Sequence, residues 1–184
     1  MSRQRIRPQW RVWFSLGLLV LTLWLGAMPV AQASVHVYRE RPGQVTVRSR
    51  LSLRDFSDRA WQVIAFKRTQ GDTLQGYYLR LVGFPGAVEV DRQRPATVTA
   101  PTGQSQQLQW VVDPQAKTLP PNVGQFDLGP LLTNLEQSLP LTVQLPLVGA
   151  EPVEMAIAPF IVEEWLEVKR SNESPAPMGT PSGK

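Results

Sequence analysis

The chain has 184 residues, with 19 lysines and arginines against 15 aspartates and glutamates, and it has no cysteine. This length suits one domain with one core, and the lack of cysteine excludes disulfide bonds and thiol chemistry. Four of the arginines precede residue 12, so the remainder from residue 34 has 15 basic and 15 acidic side chains. Nucleic-acid binding needs a basic surplus that releases counterions, so we set that class aside.

The first 33 residues have the pattern of an export signal. An apolar run over residues 12–30 follows the four arginines, and Pro29 precedes Ala31-Gln32-Ala33, the small-x-small form that signal peptidases cleave. We therefore predict a signal peptide over residues 1–33, cleaved after Ala33. A retained membrane anchor is the alternative, because the run is almost long enough to span a bilayer.

Residues 34–170 are predicted to form one mainly β domain. In "GQVTVRSRLSLRD", apolar and polar residues alternate, which indicates a half-buried strand with a basic outer face. "DFSD" (55–58) is predicted to be a turn, and residues 60–66 are apolar on both faces, which is typical of a central strand. "LQGYYLRLV" is predicted to be the strand that follows.

Residues 79–91, "LRLVGFPGAVEVD", are predicted to be a hairpin with Gly83-Phe84-Pro85-Gly86 at its tip. Leu81 would then lie opposite Val90, and Arg80 opposite Asp91. A dinucleotide or phosphate loop needs further glycines with a following helix, or a Lys with Ser or Thr, and this stretch has neither. Pro then Gly suits a type II turn.

Further strands are predicted at "ATVTAP", "QQLQWVVD", "LTVQLPLV" and "VEMAIA", with "LPPNVGQF" as a loop between them. Leucines at helical spacing predict one short amphipathic helix at about 128–139, capped by Asp127 or Gly129. Residues 160–168 suit a strand or a helix, and we favour a strand. The fold class is thus a curved antiparallel sheet, open barrel or sandwich of about seven to nine strands, followed by a disordered tail over residues 171–184.

Few residues suggest catalysis. The only histidine is His36, which is three residues after the predicted cleavage site and too close to a new terminus to act as a general base. Zinc needs about four His or Cys ligands. The acidic pairs Asp55 with Asp58 and Glu163 with Glu164 are read as local ion pairs and as solvated charges, respectively. We therefore predict no catalytic, cofactor or metal site, and no enzyme.

Arg48, Arg50 and Arg54 form the most distinctive predicted surface. Three guanidinium groups on one side of one strand can bind an acidic partner or lipid headgroups. The alternative is that they pair with acidic residues on a neighbouring strand.

Several segments resemble a cyanobacterial family of exported proteins known only as a domain of unknown function. These are "SVHVYRERPGQVTVRSRLSLRDFSDRAWQVIAFKR", "LRLVGFPGAVEVD", "PPNVGQFDL" and "APFIVEEWLEV", which together span nearly all of residues 35–168. The resemblance implies a cyanobacterial source, a location in the periplasm or thylakoid lumen, and no established enzyme activity. Some members look like lipoproteins, and the lack of cysteine here departs from that pattern.

Three functions remain open on these grounds. The first is a non-enzymatic binding or accessory protein that assists a membrane complex, photosynthetic if the resemblance holds. The second is a carrier that holds a small apolar ligand inside a barrel-like sheet. The third is an enzyme that uses carboxylates. Partner, ligand and oligomeric state are not indicated by the sequence.

Overall fold

The computed structural model describes residues 35–112 and 118–171, and over these ranges the chain is mainly β, as predicted. Two antiparallel sheets, of five and four strands, pack face to face as an open sandwich. The predicted leader, its cleavage site at Ala33 and the tail from residue 172 lie outside the described residues. Those assignments therefore stay predictions.

The five-stranded sheet places the long, two-faced apolar strand at its centre, as predicted. Gly124 in its last strand lies where an added Cβ would be 2.7 Å from the ring of Phe126, so the backbone can only pass there without a side chain. The loop predicted at "LPPNVGQF" is wrong over this last strand, which is short and follows two prolines. In spatial order the strands are β1 (His36–Arg41), β2 (Gln44–Arg54), β3 (Ala60–Gln70), β4 (Thr73–Val82) and β7 (Val123–Asp127).

The four-stranded sheet is built from the four shorter predicted strands. After the edge strand that ends at Leu108, the chain runs alongside β7. Val111 N–H donates to Gln125 O, and Asp127 N–H donates to Gln109 O. These bonds join the two sheets along one side. In spatial order the strands are β6 (Ser105–Leu108), β5 (Ala96–Thr99), β8 (Leu141–Leu147) and β9 (Ala150–Ile157).

The hairpin predicted over residues 79–91 is wrong. β4 ends at Val82, and Leu81 lies opposite Gly124 of β7 rather than opposite Val90. Val90 instead forms an isolated bridge with Leu147 at the end of β8. A partner strand distant in sequence takes the position that a local hairpin would have filled, and alternation within the segment cannot reveal this. The GFPG turn itself is present, because Ala87 N–H donates to Phe84 O and Gly86 has φ +77°.

The helix predicted at about 128–139 is present but shorter. α1 (Gly129–Asn134) has a proline in its first turn and buries Leu131 and Leu132. Its N-cap residue is Leu128, although the Asp127 carboxylate accepts a hydrogen bond from Gly129 N–H at 2.9 Å. The helix ends before Leu135 because the residues that follow are mostly polar and the chain must turn into β8.

The strand favoured over residues 160–168 is also wrong, because α2 (Pro159–Arg170) is a helix. Its buried apolar residues recur at spacings of three and four, which is the period of one helical face. Pro159 starts the helix where a missing N–H costs nothing, and Lys169 and Arg170 end it where cations are favourable. The buried apolar residues are Ile161, Val162, Trp165, Leu166 and Val168.

The core lies between the two sheets and under α2. Side chains from both sheets and both helices form one continuous apolar cluster, in which Trp61, Phe126 and Trp165 are essentially inaccessible to solvent. A second, small cluster joins Val168 of α2 to Val45 and Val47 near the start of β2. Over the described residues, the space between the sheets is therefore filled by side chains.

Trp165→Ala tests the helical assignment of α2. Removing a fully buried indole should lower the free energy of unfolding by about 3–5 kcal/mol, measured by urea denaturation followed by circular dichroism. Phe160→Ala, on the same helix but 57% exposed, is the control and should change it by less than about 1 kcal/mol. Equal losses from both variants would contradict the helix.

Candidate docking face on the five-stranded sheet

Arginines from three neighbouring strands lie on the outer face of the five-stranded sheet, opposite to the core. The register places Arg50 beside Ile64 and Ile64 beside Arg80, and it places Arg68 beside Thr46. Directly opposed residues of antiparallel strands share a face. We call this set the arginine face; its members are Arg48, Arg50, Arg54, Arg68 and Arg80. Among the described side chains of these five strands, Asp127 is the one acidic residue that the register places there.

Aromatic rings form the base of the arginine face. Phe66 and Tyr78 stack with ring centroids 4.9 Å apart, and both rings are buried. The guanidinium carbons of Arg80 and Arg68 lie 5.2 and 5.4 Å from the Phe66 centroid. Cations over ring faces are attracted to the negative π surface, so the rings hold the guanidinium groups in place.

The same arrangement recurs at the edge of the sheet. The guanidinium carbon of Arg48 lies 3.6 Å from the centroid of Tyr38 on β1. Arg80 is fixed further by Gln125, whose Oε1 accepts hydrogen bonds from Arg80 Nε at 3.0 Å and Nη2 at 2.6 Å. Each ordered arginine therefore loses less conformational freedom when it binds a partner.

The three arginines predicted from the sequence are brought to one face, and they differ in environment. Arg50 is exposed and Arg48 half-buried, and no acidic side chain of the described residues pairs with either. Arg54 pairs with Asp58 at 3.2 Å in the turn that follows. The alternative of cross-strand ion pairs thus applies to none of the three among the described residues.

Arg68 and Arg80 were missed by sequence reasoning, although a signal was present. Arg68 is two residues after Phe66, and Arg80 is two residues after Tyr78. Period two along β3 and β4 therefore assigns both to one face once the strands are paired. Without the pairing, nothing in the sequence says that this face also carries Arg48.

Asp55 belongs to a structural turn, in agreement with the ion-pair interpretation. Its carboxylate accepts hydrogen bonds from Ser57 N–H, Arg59 N–H, Arg59 Nε and Trp61 Nε1 at 2.8–3.0 Å. Burial acts to raise the pKa of Asp55, but these hydrogen bonds outweigh it and the pKa is lowered. A carboxylate held in its charged form by four donors braces the turn.

Glu164 is not the solvated charge that the sequence analysis predicted. It is 6% exposed on the inner side of α2, where Ser49 Oγ–H of β2 donates to Oε2, while Oε1 has no partner. The prediction failed because a strand would have sent Glu163 and Glu164 to opposite faces with no contact to β2. Burial raises the pKa of Glu164, the Ser49 hydrogen bond opposes this, and the charge of Glu167 adds to the rise.

Other candidate chemistry is sparse in the described part of the chain. His36 is exposed on β1, next to Arg48 across the strand pair. Residues 35–112 and 118–171 contain no group of three or more His, Cys, Asp or Glu side chains placed to hold a metal ion. Neither α1 nor α2 is long and apolar enough to cross a membrane.

A surface groove of about 430 Å³ lies between the β5–β6 turn and α1. Its walls include Val98, Leu131, Leu135 and Leu141, and its rim includes Gln104. It is open to solvent, and Val98, Leu131 and Leu141 in its walls also belong to the core cluster. The groove is therefore distinct from the enclosed barrel cavity that a carrier was expected to have.

A family model described as "Protein of unknown function (DUF3122)" matches residues 33–168, which include both sheets and nearly all of α2. The chain belongs to this family. The family description assigns no activity, substrate or partner. No curated protein matches the chain significantly, and no solved structure does. Function therefore has to be argued from the geometry of the DUF3122 domain.

Glu164→Gln is expected to change how stability depends on pH. In the wild type the folded state binds the Glu164 proton more tightly than the unfolded state. The free energy of unfolding should thus fall as the pH rises above the ordinary Glu pKa of 4.5 towards the raised folded value. One such group contributes at most about 1.4 kcal/mol per pH unit.

Replacement by Gln keeps the acceptor for Ser49 and removes this pH-dependent loss, so the variant should gain stability relative to the wild type towards neutral pH. Urea unfolding at a series of pH values measures it. Glu163→Gln, an exposed carboxylate of the same helix, is the control. An unchanged pH slope in Glu164→Gln would contradict the assignment.

Proposed function

We propose that the protein is an exported, non-enzymatic binding protein whose arginine face docks on an acidic surface of a membrane protein complex, which it helps to assemble or stabilise. The observation that carries this is the concentration of five arginines from three strands on one face, three of which lie over aromatic rings. The resemblance to exported cyanobacterial proteins supports the periplasm or thylakoid lumen as location. It also supports a photosynthetic complex as partner.

The arrangement suits recognition of carboxylates by shape as well as charge. A guanidinium group is planar and donates two parallel hydrogen bonds to one carboxylate. Arg50 and Arg54 are exposed for such contacts, whereas Arg68 and Arg80 lie deeper and are held by Phe66 and Gln125. Complementary charge speeds the encounter and fixes the orientation of the partners.

The packing gives the carrier alternative less support. In a carrier the two-faced strand β3 would line the cavity, but Trp61, Val63 and Ala65 pack in the core while Ile64 and Phe66 lie on the outer face. One apolar face of β3 thus packs in the core, and the other lies on the outer face of the sheet. A docking function needs this outer face and no cavity.

The double variant Arg48→Glu, Arg50→Glu is expected to abolish association with the complex. Reversing two charges replaces attraction by repulsion over the exposed part of the face, which should weaken binding at least tenfold. The measurement is recovery of partner proteins with the tagged full-length chain from solubilised native membranes, quantified by mass spectrometry at low and high salt.

Two single variants provide a matched control. Arg50→Glu and Arg170→Glu each reverse one exposed arginine, but Arg170 lies at the end of α2, paired with Glu163. Only Arg50→Glu should reduce recovery. Undiminished recovery with the double variant, or a wild-type chain that is monomeric and unbound at native expression level, would overturn the proposal.

Export predicts a processed chain. The mature protein isolated from its native host should begin at Ser34, because Ala31-Gln32-Ala33 precedes the cleaved bond. N-terminal sequencing and intact mass determine this directly. An intact chain in the membrane fraction, starting at Met1 or Ser2, would show that the leader is retained as an anchor.

A further inference from the structure

Two exposed phenylalanines lie on turns at the same end of the five-stranded sheet. Phe56 lies in the β2–β3 turn and is 68% exposed, and Phe84 follows β4 and is 74% exposed. β3 and β4 are neighbours, with Gln62 opposite Val82, so the turn that enters β3 and the loop that leaves β4 emerge together. A single exposed apolar residue is ordinary, whereas adjacent ones mark interaction surfaces.

Both turns are braced by the buried side chain of Trp61. Its Nε1 donates to Asp55 Oδ2 at 3.0 Å on one side. On the other side its ring packs against Gly83, where an added Cβ would be only 2.9 Å from two ring atoms. The two phenylalanines are therefore presented from a common rigid base, and placing them against a partner costs little conformational entropy.

The loop that carries Phe84 is also constrained and adds further apolar surface. Pro85 and Gly86 form a tight turn, closed by Ala87 N–H donating to Phe84 O. The neighbouring β8–β9 turn is tied to this loop, because Val148 N–H donates to Glu89 O at 2.9 Å. Val148 is itself 51% exposed. Apolar side chains thus stand on three separate turns at this end.

Arginines lie beside these apolar tips. Arg54 and Arg59 flank Phe56, with side chains 65% and 43% exposed. The Arg54 pair with Asp58 is an exposed one of small energy, so Arg54 can exchange this carboxylate for a phosphate oxygen. Arg50 lies on the same face of β2, four residues before Arg54. No acidic side chain of the described residues pairs with it.

We propose that the Phe56 and Phe84 turns form a lipid-contact surface that enters the headgroup region of an anionic bilayer. Separate protruding side chains suit a lipid interface, because lipids rearrange around each of them. The surface of a protein partner would have to be complementary in shape to all three turns at once. Phenylalanine gains from leaving water at the headgroup boundary, and nearby arginines bind lipid phosphates. This surface shares Arg50 and Arg54 with the arginine face, but its phenylalanines and its lipid ligand are not part of the docking proposed above, so loss of vesicle binding at Phe56 and Phe84 and loss of partner recovery are separate outcomes.

The test uses the absence of cysteine from the chain. Phe56→Cys, Phe84→Cys and Phe160→Cys are made one at a time in the full-length protein and labelled with a polarity-sensitive fluorophore. Phe160, 57% exposed on α2, is the control at a phenylalanine outside this end. Each is titrated with vesicles of phosphatidylglycerol mixed with phosphatidylcholine, and with phosphatidylcholine alone. A site-resolved label separates these turns from any binding by the apolar N-terminal run.

Labels at 56 and 84 should shift to the blue with the anionic vesicles, and the label at 160 should not. Phe56→Ser and Phe84→Ser, in otherwise unmodified protein, should each weaken vesicle binding by at least about tenfold, since burial of one such ring contributes on the order of 1.5–3 kcal/mol and about 1.4 kcal/mol is a factor of ten. Unshifted labels at 56 and 84, or an equal shift at 160, would overturn the proposal. A shift at 56 and 84 with polyglutamate but not with vesicles would assign the surface to an acidic protein instead.

Discussion

The inner face of the β2–β3 pair has to be covered along its whole length, and the second sheet is too short to cover it. Each of these two strands has 11 residues, about 36 Å, whereas the strands of the four-stranded sheet have four to eight. α2 covers the remainder, with Val168 against Val45 and Val47 and Glu164 against Ser49. The rest of the molecule depends on this fit, because without α2 half of the apolar face of β2 would meet water.

The same constraint explains the arginine face. Once the odd-numbered residues of β2 are committed to the core, the even-numbered ones must lie on the outer face. The exposed Arg50 and Arg54 keep their charges in water, whereas the deeper Arg68 and Arg80 pack on neighbouring rings. Phe66 and Tyr78 supply those rings from β3 and β4. Core packing on one face thus leaves Arg50 and Arg54 exposed on the other face, where they can bind a partner.

The two ends of the sandwich are also unlike each other. α1 and α2 cover the end near Leu141 and Val168, whereas in the described part of the chain the opposite end is formed by turns. Those turns are held by Asp55, Trp61 and Gly83 rather than by a covering helix. A buried carboxylate with four donors stabilises the β2–β3 turn, and in this way an end without a helix still holds its side chains in fixed positions.

Prediction from the sequence succeeded where a pattern repeats locally. Alternation located β2, β3, β4, β5, β6, β8 and β9, and leucines at helical spacing located α1. It failed at β7 and at the GFPG segment, because both depend on which distant strand becomes the neighbour. It also failed at α2, where β-branched and aromatic residues suggested a strand although the buried positions recur with helical period.

The sequence by itself determined a mainly β chain without thiols, with a formally neutral region after its basic N-terminus, and with three arginines on one side of one strand. These properties follow from composition and from a period of two residues, which needs no knowledge of the partner strands. Only the tertiary structure added Arg68 and Arg80 to the face, buried Glu164 against Ser49, and brought the turns of Phe56 and Phe84 to one end of the sheet. Each of these depends on long-range pairing, because side chains far apart in sequence become neighbours only when strands and helices pack.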